Sequence, residues 1–69
     1  MTDNAAAFEA AHKILTALAL DAHERSLTDP SWQAKADTYR KRRDDLDPDD
    51  AETLAQVIRS DGATLLSLS

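Results

Sequence analysis

The residues best suited to binding chemistry lie between positions 32 and 43. Trp32 and Tyr39 share this stretch with four consecutive basic residues at positions 40–43. Aromatic residues and arginine often dominate the binding energy of interfaces, because each combines a large contact area with a polar end. Residues three and four apart are neighbours on one helix face, so we predict a partner-binding surface. Its six residues are Trp32, Lys35, Tyr39, Arg40, Arg42 and Arg43.

A second interpretation uses the same side chains without a partner. The aromatic residues would close the protein core, which is the preferred role for Trp32, and the basic residues would stay in water. The bases would favour the negative end of their own helix dipole and pair with the aspartates that follow them. The spacing leaves both interpretations open for Tyr39 and Arg43.

The basic run is also compatible with nucleic acid, with arginines on phosphates and Tyr39 stacked on a base. However, five aspartates lie between positions 44 and 50, where they would meet the phosphate backbone. The whole chain carries a formal net charge of −5, whereas nucleic-acid binding depends on positive potential. Nucleic acid is therefore the less favoured partner.

No residue pattern predicts a metal site, a cofactor or catalysis. Residues 45–49 open like a calcium loop, but Asp50 and Gln56 stand where that loop needs glycine and a bidentate glutamate. His12 and His23 would be about 16 Å apart on one helix, too far to share a metal ion. The sequence holds one glycine and no cysteine, so it lacks a glycine-rich phosphate loop and a cysteine nucleophile. We expect a protein that is not an enzyme.

The apolar spacing predicts an all-α domain over residues 1–69, with helices at about 4–27, 30–46 and 48–61. A break or weakening at Gly62 is favoured, and a continuation of the third helix to 67 is the alternative. The expected caps and helix openings are Thr2 or Asp3, Asp29-Pro30 and Asp47-Pro48.

The apolar faces of the first and third helices predict the core. Short connections make consecutive helices turn sharply, so two to three helices should pack as a small bundle. The residues expected in the core or in a dimer interface share these two faces: Phe8, Ala11, Ile14, Leu15, Leu18, Ala22, Leu54 and Ile58.

The chain is close to the lower size limit for a self-sufficient core. A domain of this length buries only roughly 60% of the surface that its unfolded chain exposes, and such scaffolds often add a disulfide, a metal or a second copy. Since the sequence has no cysteine, we predict a homodimer that buries the remaining apolar face of the first helix.

No segment is long enough to predict a membrane span. The longest strongly apolar stretch, residues 14–20, is much shorter than the roughly 20 residues that a spanning helix needs. The first residues are acidic rather than basic, unlike a targeting sequence. We expect no membrane association and a cytoplasmic location.

In size and overall helical character, the chain resembles the small early proteins of temperate phages that bind and disable a host regulator, the quorum-sensing anti-activator type. The resemblance extends over the whole chain without a shared motif, and Tyr39 and its basic neighbours are the residues to which it would assign the binding role. It implies a dimer whose exposed aromatic and basic helix occludes the DNA-binding domain of a transcriptional activator.

These observations favour a non-enzymatic protein-binding module. The expected function is that of a small homodimeric inhibitor or anti-activator of a host regulatory protein in transcription. Two alternatives stay open: a nucleic-acid-associated regulator that uses residues 39–43, and a structural subunit of a larger assembly.

Overall fold

The computed structural model describes residues 4–68, and these residues are almost entirely helical. Helix α1 (Asn4–Ser26) is followed by α2 (Trp32–Asp44), α3 (Ala51–Gln56), a π-helical turn (Val57–Asp61) and α4 (Gly62–Ser67). The last three elements follow one another without a gap, and residues 51–67 are called the C-terminal helical segment below. No strand occurs in residues 4–68, which confirms the all-α prediction. None of the described helices is long and apolar enough to cross a bilayer.

The two proline-containing connections are longer than the sequence predicts. The carboxylate of Asp29 accepts hydrogen bonds from the backbone N–H (3.1 Å) and the hydroxyl (2.8 Å) of Ser31. Asp47 accepts one from the backbone N–H of Asp49 at 2.9 Å. Each aspartate thus closes a local turn around its proline, and α2 and α3 begin two or three residues later than expected.

The cap of α3 is Asp50 rather than Asp47. The Asp50 carboxylate accepts hydrogen bonds from the backbone N–H of Thr53 (3.2 Å) and from the Thr53 hydroxyl (2.7 Å). These bonds hold the pKa of Asp50 below its ordinary value of 3.8, because they stabilise the charged form. The caps predicted for the first helix, Thr2 and Asp3, lie outside the described residues.

The helix does not break at Gly62, but a π-helical turn ends directly before it. Gly62 has helical dihedral angles, φ −62° and ψ −41°, and the helix continues to Ser67. The irregularity lies one step earlier, in the π-helical turn. A Cβ atom placed on Gly62 would lie 3.5 Å from Cδ1 of Ile14, an ordinary packing distance. The C-terminal helical segment therefore passes close to α1 at this point.

The core has two neighbouring parts along α1. Towards its N-terminal half, Ala11 and Leu15 pack with Leu54 and Val57. Towards its C-terminal half, α1 buries Leu18, Ala19 and Ala22, and α2 buries Ala36. The partly buried side chains around the first part are Ala7, Phe8, Ile14, Tyr39 and Leu46. Both parts are completed by α2 and the C-terminal helical segment.

One feature of the core agrees with the sequence-based expectation, and another differs from it. Leu15 and Leu18 are fully buried within one chain, so this part of the α1 stripe is not available to a second copy. Ile58 is 38% exposed and does not belong to the core of the single chain, whereas Val57 is buried. Either residue can share a face with Leu54, at a spacing of three or four. The rotation of the helix about its own axis turns Val57 towards the core and Ile58 towards the surface.

Helix α1 is the central element, and the other helices pack on it. Within residues 4–68, no Cα atom of α2 lies within 8 Å of one in the C-terminal helical segment, although both contact α1. The molecule is correspondingly wide and thin, with dimensions of 46 × 23 × 14 Å. A groove therefore runs between α2 and the C-terminal helical segment, with α1 as its floor.

Candidate functional site

Trp32 stands at the start of α2, beside the end of α1, and is half-buried. The Arg25 guanidinium lies 5.0 Å from the centre of its ring and the Lys35 ammonium lies 4.7 Å from it. Both distances suit cation–π attraction. Arg25 also donates a 2.8 Å hydrogen bond to Asp21. Trp32 is therefore held by a local charged cluster, while part of its surface stays open to solvent.

Tyr39 serves the core as well as the surface. It lies one helical spacing from Ala36 and packs against the buried cluster that contains Leu15 and Leu54. The side chain is only half-buried, so its remaining surface faces outward. The core contact of Tyr39 is thus established, its partner-binding role stays a prediction, and its substitution would disturb the fold.

Arg42 has a structural role that the sequence analysis did not assign to it. Its Nη1 and Nη2 atoms donate hydrogen bonds of 3.1 and 2.5 Å to Oδ1 and Oδ2 of Asp61. Asp61 is only 8% exposed, and these hydrogen bonds raise the pKa of Arg42. The pair spans the groove between α2 and the C-terminal helical segment. Arg42 is therefore an internal tie, and the partner-binding role predicted for it stays a prediction.

The other two arginines of the basic run are also paired within the chain. Nη1 of Arg40 lies 3.3 Å from Oδ1 of Asp37, and Nε of Arg43 lies 3.2 Å from Oδ1 of Asp44. Among residues 4–68, Lys35 and Lys41 form no ion pair. Because carboxylates face all three arginines, residues 40–43 do not form an open cationic patch. This arrangement weighs against phosphate binding, which needs uncompensated positive charge.

Two concave areas meet at α2. The first, with a volume of ≈ 90 Å³, lies in the groove and is lined by Leu18, Asp21, Ala22, Trp32, Lys35, Tyr39, Thr64 and Leu68. The second, of ≈ 290 Å³, is an open depression lined by Ala34, Lys35, Thr38, Tyr39 and Arg42. Lys35 and Tyr39 border both. We call Trp32, Lys35, Thr38 and Tyr39 the α2 surface.

The acidic and histidine residues do not assemble a metal site. In the part of the chain that the structure describes, no three His, Cys, Asp or Glu side chains are close enough to hold a metal ion. Asp47, which belongs to the segment that opens like a calcium loop, accepts a hydrogen bond from the backbone N–H of Asp49. His12 and His23 are both exposed.

Comparison with protein-family models, with curated proteins and with solved structures finds no significant match to this chain. Its function is therefore inferred from its own residues and their geometry.

Asp61, the partner of Arg42, carried no signal in the sequence because nineteen residues separate the two.

Proposed function

We propose that this chain is a non-enzymatic protein-interaction module that binds a regulatory protein through its α2 surface. The observation that carries the proposal is the position of Lys35 and Tyr39 between two concave areas, beside the partly exposed ring of Trp32. Half-exposed aromatic residues next to recesses are typical anchors of protein interfaces. A homodimer of the small inhibitor or anti-activator type, as in phage proteins that act on a host regulator, is part of the proposal.

The charge distribution favours a basic partner protein over nucleic acid. Helix α2 ends at Asp44, which is the first of five exposed aspartates at positions 44–50, and the net charge is −5. These carboxylates attract positive potential, which the DNA-binding domain of a transcriptional activator carries. We therefore propose a transcriptional activator of the host as the partner class. The cytoplasm, where such a regulator acts, is the proposed location.

The experiment is a pull-down from nuclease-treated host lysate with matched charge variants. Thr38→Arg adds a positive charge and a larger side chain to the α2 surface, and Gln33→Arg introduces the same residue on the same helix outside both concave areas. Thr38 and Gln33 are both exposed, so neither variant should lose helix content. We expect wild type and Gln33→Arg to retain the same regulatory protein and Thr38→Arg to lose it, because the added cation repels a basic partner.

Three results would contradict the proposal. Equal retention by both variants would remove the α2 surface from the interface. Retention only when nuclease is omitted, with a steep loss as salt rises, would support nucleic-acid binding instead. Aggregation of the isolated chain without any specific partner would favour a structural subunit of a larger assembly.

A further inference from the structure

Another concave area lies on a different face, between α1 and the C-terminal helical segment. This groove has a volume of ≈ 390 Å³, and no α2 residue lines it. Its lining is almost wholly apolar: Ile14 from α1, and Ile58, Gly62, Ala63 and Leu66 from the C-terminal helical segment, with Arg59 as its charged residue. We call it the Leu66 groove. The α2 surface and the Leu66 groove share no residue.

The Leu66 groove combines a projection with a recess. Leu66 is 77% exposed, which is a high exposure for a large apolar side chain in a helix. Gly62 and Ala63 contribute almost no side-chain volume beside it, so the helix backbone can be approached closely. A two-fold symmetric interface brings the same patch of both copies together, so it needs both shapes on one patch. The Leu66 groove meets this requirement.

The size of this face is also suitable for a dimer. The C-terminal helical segment runs from Ala51 to Ser67, which corresponds to a length of about 25 Å, and two neighbouring helices are about 20 Å wide. The resulting footprint of roughly 500 Å² on each copy gives about 1,000 Å² in total, the area at which a biological interface begins. A second copy therefore has enough area here.

The core of the single chain supplies the reason for covering this face. Among residues 4–68, the largest fully buried side chains are those of Leu15, Leu18 and Leu54. Ile58 and Leu66 of the Leu66 groove stay exposed, and Ile58 was expected in the core or in a dimer interface. A domain of this size is marginal without an additional stabilising element.

We infer that a second copy of this chain covers the Leu66 groove, with Leu66 of each copy inserted into the groove of the other. This inference rests on the homodimer in the proposed function and assigns a surface to it. The dimer would leave the two α2 surfaces free for the partner protein.

The test compares Leu66→Lys with Leu27→Lys by light scattering and sedimentation over a wide range of protein concentration. Leu27 is 75% exposed and lies in the turn after α1, so it is a matched control. Leu66→Lys should raise the dimer dissociation constant by more than about 100-fold, since a symmetric interface loses two leucine contacts and gains two cations beside Arg59. Leu27→Lys should behave like the wild type.

A second variant keeps the test decisive if Leu66→Lys changes the fold. The chain has no cysteine, so Ala63→Cys introduces a single thiol in the groove. A short bifunctional thiol reagent should join two Ala63→Cys copies and leave Leu27→Cys copies separate. If the wild type is a dimer, two results would overturn the assignment of this face alone. They are a Leu66→Lys variant that stays dimeric and an Ala63→Cys variant that is not cross-linked. A wild type that stays monomeric would also remove the homodimer from the proposed function. None of these results would touch binding by the α2 surface.

Discussion

The Arg42–Asp61 pair should contribute measurably to stability, and its removal is the sharpest test of how the helices are held. Asp61 is 8% exposed and receives two hydrogen bonds from Arg42. Arg42→Ala would leave this carboxylate buried without its cation. A hydrogen bond to a charged group contributes about 1.5–3 kcal/mol, and the 43% exposure of the Arg42 side chain reduces the effect through solvent screening. We expect the free energy of unfolding to fall by about 2 kcal/mol.

The assay is urea unfolding followed by circular dichroism and by the fluorescence of Trp32, the only tryptophan. A loss of this size should lower Tm by roughly 10 °C in a domain of this length. The raised pKa of Arg42 means that its contribution is fully present below the ordinary pKa of arginine and is lost only as pH rises through the higher folded value.

A double-mutant cycle with Asp61→Ala isolates the pair from its surroundings. We expect a coupling energy above about 1 kcal/mol, since the two residues interact directly. The control is Arg40→Ala, which breaks the exposed pair with Asp37 and should cost less than about 0.5 kcal/mol. Additive effects of Arg42→Ala and Asp61→Ala would refute the tie between α2 and the C-terminal helical segment.

Two further changes test the core and the cap. Tyr39→Ala should lower the free energy of unfolding by about 2 kcal/mol, which is roughly half the cost for a fully buried aromatic residue. Tyr39→Phe should be nearly neutral, because the ring stays in place. If urea unfolding gives the same free energy for both variants, Tyr39 has no packing role. The lowered pKa of Asp50 means that its stabilisation is present above pH 3.8 and lost as pH falls through the lower folded value. The stability difference between wild type and Asp50→Asn should therefore change in this acid range, and a constant difference would contradict the charged cap.

The positions of the helices follow mainly from local chemistry, which is why the sequence predicts them well. The spacing of Leu15, Leu18 and Ala22 indicates a buried helix face, and the structure buries all three. The two proline-containing connections separate the helices in the order expected. Local hydrogen bonds also explain the errors at the ends, because Asp29 and Asp47 close turns before the next helix begins.

The surface of the molecule depends on contacts between residues that are distant in sequence. Residues 40–43 read as an open basic run, but Arg42 meets Asp61 only because both helices pack on α1. Tyr39 joins the core cluster for the same reason. Whether Val57 or Ile58 faces inward is a matter of helix rotation, which residue spacing leaves undetermined. Local pattern therefore accounts for the helices of this protein, whereas their packing decides which side chains a partner can reach.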